Sequence, residues 1–138
     1  MSDIVWKKAK ILPKLYERVG KSLAGLEGCP KITRFKIGYG FIDETKNPPI
    51  LEDLPDDMAD IPNVIYEGTT VNDFSDNKSL FKCVIPETAV AEPTKATVIG
   101  LFEDNGNLLA TVSFLPEWLY PEKTYEDYVY IVFPQGGE

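Results

Sequence analysis

Apolar positions in the chain change period near residue 30. Before it, Leu12, Leu15, Tyr16, Val19, Leu23 and Leu26 fall at helical spacing and form one stripe. Pro13 suits the first turn of this helix, and Gly28 with Pro30 ends it. Lys14, Glu17, Arg18 and Lys21 lie off the stripe and are expected to face water. A shorter first helix is predicted over "IVWKKAKI", capped by Ser2 or Asp3. After residue 30 the period drops to two. Ile32, Phe35 and Ile37 stand between Lys31, Arg34 and Lys36, with Thr33 breaking the alternation, and the strand ends at Gly38 and Gly40.

"VIYEGTTV" and "SLFKCVIP" predict two further strands separated by the turn-rich "NDFSDNK". "VIGLFEDNGNLLATVSF", residues 98–114, is the best-marked hairpin: Asn105-Gly106 supplies the residues a type I′ turn requires, with Leu101 and Leu108 on one side. "LPEWLYPEK" reads as a proline-bounded loop. The closing "YEDYVYIVFP" sets Tyr128, Tyr130 and Val132 against Val129, Ile131 and Phe133, which predicts a strand covered on both faces. The long surface loop "DETKNPPILEDLPDDMADIPN" has Ile50, Leu51, Leu54 and Met58 as anchors. The expected fold class is α+β: an N-terminal amphipathic helix packed on a mostly antiparallel sheet or small sandwich with long loops. Residues 1–12 are expected to be a docking arm, 13–134 a single domain and 135–138 a frayed tail.

A chain of 138 residues suffices for one core. Charge adds more. Residues 1–40 carry nine of the fourteen Lys and Arg against Asp3, Glu17 and Glu27, whereas residues 41–138 carry five Lys against nineteen acids. An acidic body repels phosphates, so no nucleic acid partner is expected. The basic head has two readings, a solvated helix face or a surface that meets acidic charge on a neighbouring subunit. No apolar run approaches the roughly 20 residues that span a bilayer, so no membrane insertion is expected. The lysine-rich start is not an apolar leader, and cytoplasmic assembly is the expectation. Cys29 and Cys83 are then read as free thiols.

Candidate chemistry is thin. The chain has no histidine, which excludes Ser-His and Cys-His pairs and imidazole zinc sites. Asp53, Asp56, Asp57 and Asp60 lack the spacing of a calcium loop. Glu117, beside Trp118 and Tyr120, is the one carboxylate that suggests glycosidase work, but no second group is placed with it. No enzyme, cofactor or metal is expected.

Taken in order, "KITRFKIGYG", "CVIPE" and above all "IGLFEDNGNLLATVSFLPEW" resemble the N-terminal, tail-attachment domain of the phage tail-collar fibre family. The likeness covers roughly residues 11–134. It departs from the family at Tyr39, where an aspartate is common, and in lacking the long fibre that the family domain commonly heads. The resemblance implies a structural protein of a phage tail or baseplate, assembled in the bacterial host cytoplasm. It would join fibres to the tail and self-associate, as a trimer, beside other tail proteins. Candidate interface residues are Ile4, Val5 and Trp6 on the arm and Tyr125, Tyr128 and Tyr130 on the closing strand; Asn105 and Gly106 are structural. Two other readings stay open: a small acidic cytoplasmic inhibitor, and a receptor-binding tail tip using Trp118 and Tyr120.

Overall fold

A computed structural model describes residues 5–133. Its elements run β1 (Trp6–Lys8), β2 (Lys10–Ile11), α1 (Pro13–Leu23), β3 (Ile32–Gly38), β4 (Ile42–Asp43), β5 (Ile50–Leu51), β6 (Val64–Ser75), β7 (Lys78–Ile85), β8 (Thr94–Glu103), β9 (Leu108–Leu119) and β10 (Tyr125–Ile131). Eight strands form one sheet in the order β1-β10-β7-β6-β3-β8-β9-β2, while β4 and β5 pair separately. β1 and β2 are consecutive in the chain, separated by Ala9 alone, yet they sit at opposite ends of that order. One short segment therefore joins the two edges, and the sheet is rolled into a nearly closed barrel. The expected α+β arrangement is overturned: the fold is mostly β, with a single 11-residue helix among the described residues. No described helix is long and apolar enough to cross a membrane.

The helix predicted over "IVWKKAKI" is the first casualty. β1 runs parallel to β10, and β2 antiparallel to β9. A helix here would leave the backbone groups of both edges unpaired, the costlier outcome. Ala9 and Leu12 are buried by the same pairing, so residues 6–12 belong to the barrel wall instead of forming a free arm. Ile4 and the tail at 135–138 lie outside the described residues.

Phe35, Ile37, Cys83, Ile85, Ile99, Leu101, Leu109, Leu119 and Val129 fill the interior, each at most 1 % exposed. A second cluster of Leu12, Ile61, Val98, Phe102 and Leu108 lies apart from it, with Leu54 and Met58 of the long loop packed against it. β8 is thus the strand covered on both faces, a role the sequence assigned to β10. β10 alternates instead, with Asp127, Val129 and Ile131 buried and the tyrosines partly exposed. Leu54 and Met58 anchor the loop as expected, whereas Ile50 and Leu51 are exposed. The loop crosses close over β3: a Cβ on Gly38 would lie 2.3 Å from the Pro62 carbonyl oxygen.

α1 buries Leu15 and half-buries Val19, but it stops at Leu23, short of the Gly28 expected. Tyr16, Leu23 and Leu26 are exposed, so only part of the stripe is used. Arg18 does not face water. Its guanidinium donates to both carboxylate oxygens of Glu103 at 2.8–3.1 Å and also meets Glu27, tying α1 to the turn end of the β8–β9 hairpin. That contact holds the Glu103 carboxyl below its usual range.

The β8–β9 turn is not type I′. Gly106 N–H donates to Glu103 O, Glu103 N–H donates to Asn107 O, and Gly106 alone has positive φ (+94°). This is a three-residue loop, a type I turn followed by a left-handed glycine. The register shift it introduces sets Leu108 opposite Phe102 in the second cluster, while Leu101 points inside, so the two leucines do not share a side. The type I′ signature belongs to β6–β7, where Asp76 (φ +54°) and Asn77 (φ +60°) form the two-residue turn. "LPEWL" is also not loop: β9 continues through it to Leu119, with the extra residues taken up by a register shift opposite Ala96 and Val98.

Asn77→Gly should stabilise by about 0.5–1 kcal/mol, because glycine accepts positive φ without strain. Asn105→Gly should cost about 0.5 kcal/mol and Gly106→Val about 1–2 kcal/mol. Thermal melts decide, and stabilisation by Asn105→Gly but not Asn77→Gly would restore the type I′ turn to residues 105–106. Deleting residues 1–9 should abolish the cooperative melt and expose apolar surface to a dye such as ANS. A truncated chain that melts like the full one would show that the seam is dispensable.

Candidate interface and buried acid pair

β1, β10, β7 and β6 lie side by side, and their register aligns outward side chains in rows. Trp6, Tyr128, Lys82 and Val71 form one row, and Lys8, Tyr130, Leu80 and Asp73 the next. The Trp6 and Tyr128 rings meet edge-on with centroids 5.1 Å apart. Lys78 Nζ lies 5.4 Å above the Tyr130 ring. A groove of about 390 Å³ runs among Trp6, Ser75, Asp76, Lys78, Leu80 and Tyr130. Trp6 and Val71 remain exposed beside it.

Three of the predicted interface residues, Trp6, Tyr128 and Tyr130, are thus brought onto one face, although the sequence had placed them on separate elements. Val5 precedes Trp6 and is exposed. Tyr125 does not join them. It packs against the core, and its hydroxyl accepts the Tyr120 N–H at 3.0 Å. Trp118 and Tyr120 stack with centroids 6.5 Å apart, and each ring already has a lysine ammonium, Lys95 or Lys123, near one face.

Behind this face lies a cluster that the sequence did not reveal. Asp127 is 2 % exposed on the inner side of β10, opposite Cys83 of β7. Lys7 of β1 donates to Asp127 Oδ1 at 2.7 Å and lies 4.9 Å from the Phe114 ring centre. Glu117 approaches from β9. Its Oε1 and Asp127 Oδ2 are both buried without a hydrogen-bond partner, the situation a proton held between two carboxylates resolves. Burial first, and the Asp127 charge second, push the Glu117 carboxyl up to about 7. Burial likewise pushes the Cys83 thiol up to about 12.

Asp127 is the second carboxylate that Glu117 lacked in the linear reading. A signal for it exists in "YEDYVYI", where Asp127 shares the parity of the inward Val129 and Ile131. An acid on the apolar side of a strand seeks a partner.

Part of the charge asymmetry also resolves within the molecule. Lys7–Asp127, Lys10–Asp56, Arg18–Glu103, Arg34–Glu67 and Lys36–Asp60 each join the basic head to the acidic body. Asp56 and Asp60 of the long loop are therefore ion-pair partners. No group of three metal-ligating side chains is assembled among the described residues.

Both cysteines are free, Cys29 exposed and Cys83 buried. A thiol reagent such as DTNB should therefore titrate one thiol per native chain at pH 8 and a second only on unfolding. Immediate reaction of both would contradict the burial of Cys83.

No protein-family model, curated protein or solved structure matches this chain, so the likeness to the tail-collar fibre family rests on the sequence motifs alone.

Proposed function

We propose that the chain is a non-catalytic assembly protein of a phage tail or baseplate, which joins fibre components to the tail through the outward face of β1, β10 and β7. The observation that carries this reading is the row of Trp6 and Tyr128 beside Tyr130 and Leu80, on a barrel whose interior is filled by its own side chains. Tryptophan and tyrosine combine large apolar area with a polar edge, and they dominate the energetics of protein interfaces. The "IGLFEDNGNLLATVSFLPEW" motif adds the tail setting, as a resemblance.

Self-association, as a trimer, belongs to the same reading. Because five of the head's nine cations are already engaged by acids of the acidic body, the association should be chiefly apolar and should survive high salt. Light scattering over a concentration series, at low and high salt, should show an assembly larger than one chain. Tyr130→Ser and Leu80→Ser should weaken it by roughly tenfold or more, the scale of an interface anchor. A strict monomer throughout would remove self-association. Mass spectrometry of purified tail particles tests the adaptor role itself, and consistent absence of the chain from them would end it.

A further inference from the structure

The acid pair stands at one particular place in the barrel. β9 carries Glu117 and β10 carries Asp127, and the sheet order does not make these strands neighbours. What lies between them is the N-terminal segment, hydrogen-bonded to β10 through Ala9 N–H to Tyr130 O at 2.9 Å and to the β9 side through Leu12 N–H to Leu109 O at 3.0 Å. Its pairings are brief, Trp6–Lys8 on one side and Lys10–Ile11 on the other. Lys7, the cation of the cluster, is on that segment. The interior ion pair of the seam strand, Lys7–Asp127, is thus made with an acid that has a second acid beside it.

We propose that the Lys7–Asp127–Glu117 cluster is a proton-operated latch on the barrel seam, which holds the N-terminal strand in place while the acid pair keeps one proton and loosens it when that proton leaves. With the proton in place, one positive and one negative charge face each other beneath the seam and the remaining carboxyl is neutral. Loss of the proton leaves two negative charges against one positive in a site largely shut off from water, which low dielectric penalises. The groups that face Glu117 and Asp127 are Lys7 from β1 and the Cys83 thiol from β7; Ala96 of β8, opposite Glu117, carries no charge. Glu126 and Tyr128 lie at the outward positions of β10.

The sign follows from the acid's elevated value. A carboxyl held at about 7 in the fold, against an ordinary 4.5, contributes stability that is full below 4.5 and lost as pH rises through about 7. Carboxyls that salt bridges hold low, such as Glu103 and Asp60, act in the opposite sense and at more acid pH, so the two windows separate. Opening the seam would release Trp6 from Tyr128 and so alter the outward face as well.

Hydrogen–deuterium exchange of the Ala9 and Leu12 amides, followed from pH 5.5 to 8 and corrected for intrinsic rates, tests the latch. Protection of both should fall at least tenfold across that range, while the Phe35 and Ile37 amides of β3 change little. Glu117→Gln, which keeps the shape but cannot lose the proton, should flatten the dependence. Seam protection that does not vary with pH, or that varies equally in Glu117→Gln, would overturn the proposal. Should that variant not fold, carbon-13 titration of the Glu117 carboxyl in the unaltered protein decides. A midpoint near 7 supports the latch, and one near 4.5 removes it.

Discussion

The main-chain pairing of residues 6–11 with both β9 and β10 is the constraint on which the other features hang. An eight-stranded sheet of this length has two edges, and each presents unpaired N–H and C=O groups that invite pairing with other chains. Here one extended segment occupies both. Its position places Trp6 against Tyr128 on the outside and Lys7 against Asp127 on the inside, because successive side chains of a strand point to opposite faces. It also delivers Leu12 and Leu15 to the barrel, which sets where α1 lies. The candidate interface, the buried acid pair and the helix are therefore consequences of one closure.

Charge plays two different parts in this closure. Exposed pairs such as Arg34–Glu67 sit in water and contribute little, within the roughly 0–1 kcal/mol of surface ion pairs. Arg18–Glu103 and Lys7–Asp127 are largely sequestered, and there each partner is chiefly what keeps the other from being an uncompensated buried charge. Both of these tie N-terminal residues to strands more than eighty positions away. Basic head and acidic body are complementary within one chain, so their asymmetry in sequence does not require an external partner of either sign.

Periodicity exposed most of the long strands: Ile32, Phe35 and Ile37 are buried as the alternation predicted, and the break at Thr33 coincides with a real register shift in β3. Closure was not legible. The segment "WKKAKI" carries the lysines of an amphipathic helix, and only the two waiting edges make it a strand, a tertiary fact that local propensity does not contain. The turns misled for a related reason. Asn-Gly is the strongest short-range hairpin signal, yet the Glu103–Asn107 hydrogen bond leaves three residues in the loop and so needs positive φ at Gly106 alone. Asp76-Asn77, with a weaker signature, takes the two-residue turn because β6 continues to Ser75 and β7 begins at Lys78. Of the site residues, Trp6, Tyr128 and Tyr130 were legible as candidate interface aromatics, on an arm and on the closing strand, but their convergence depends on the parallel register of β1 with β10.

Three ionisable groups inside a small barrel are a poor choice for stability alone, since apolar residues of similar volume often serve as well or better. They do confer specificity of register. Were the seam strand to slip by one residue along β10, Lys7 would turn outward and Trp6 or Lys8 would turn toward Asp127. A slip that brings in Trp6 leaves the carboxylate without a cation and forces an indole into a packed interior. One that brings in Lys8 keeps a charge but shifts Ala9, the small buried residue at the junction of β1 and β2, out of the only position where both edges are served. Short strands with so few pairs are prone to slippage, and here a buried ion pair on one side and a small residue on the next leave a single alignment that satisfies both.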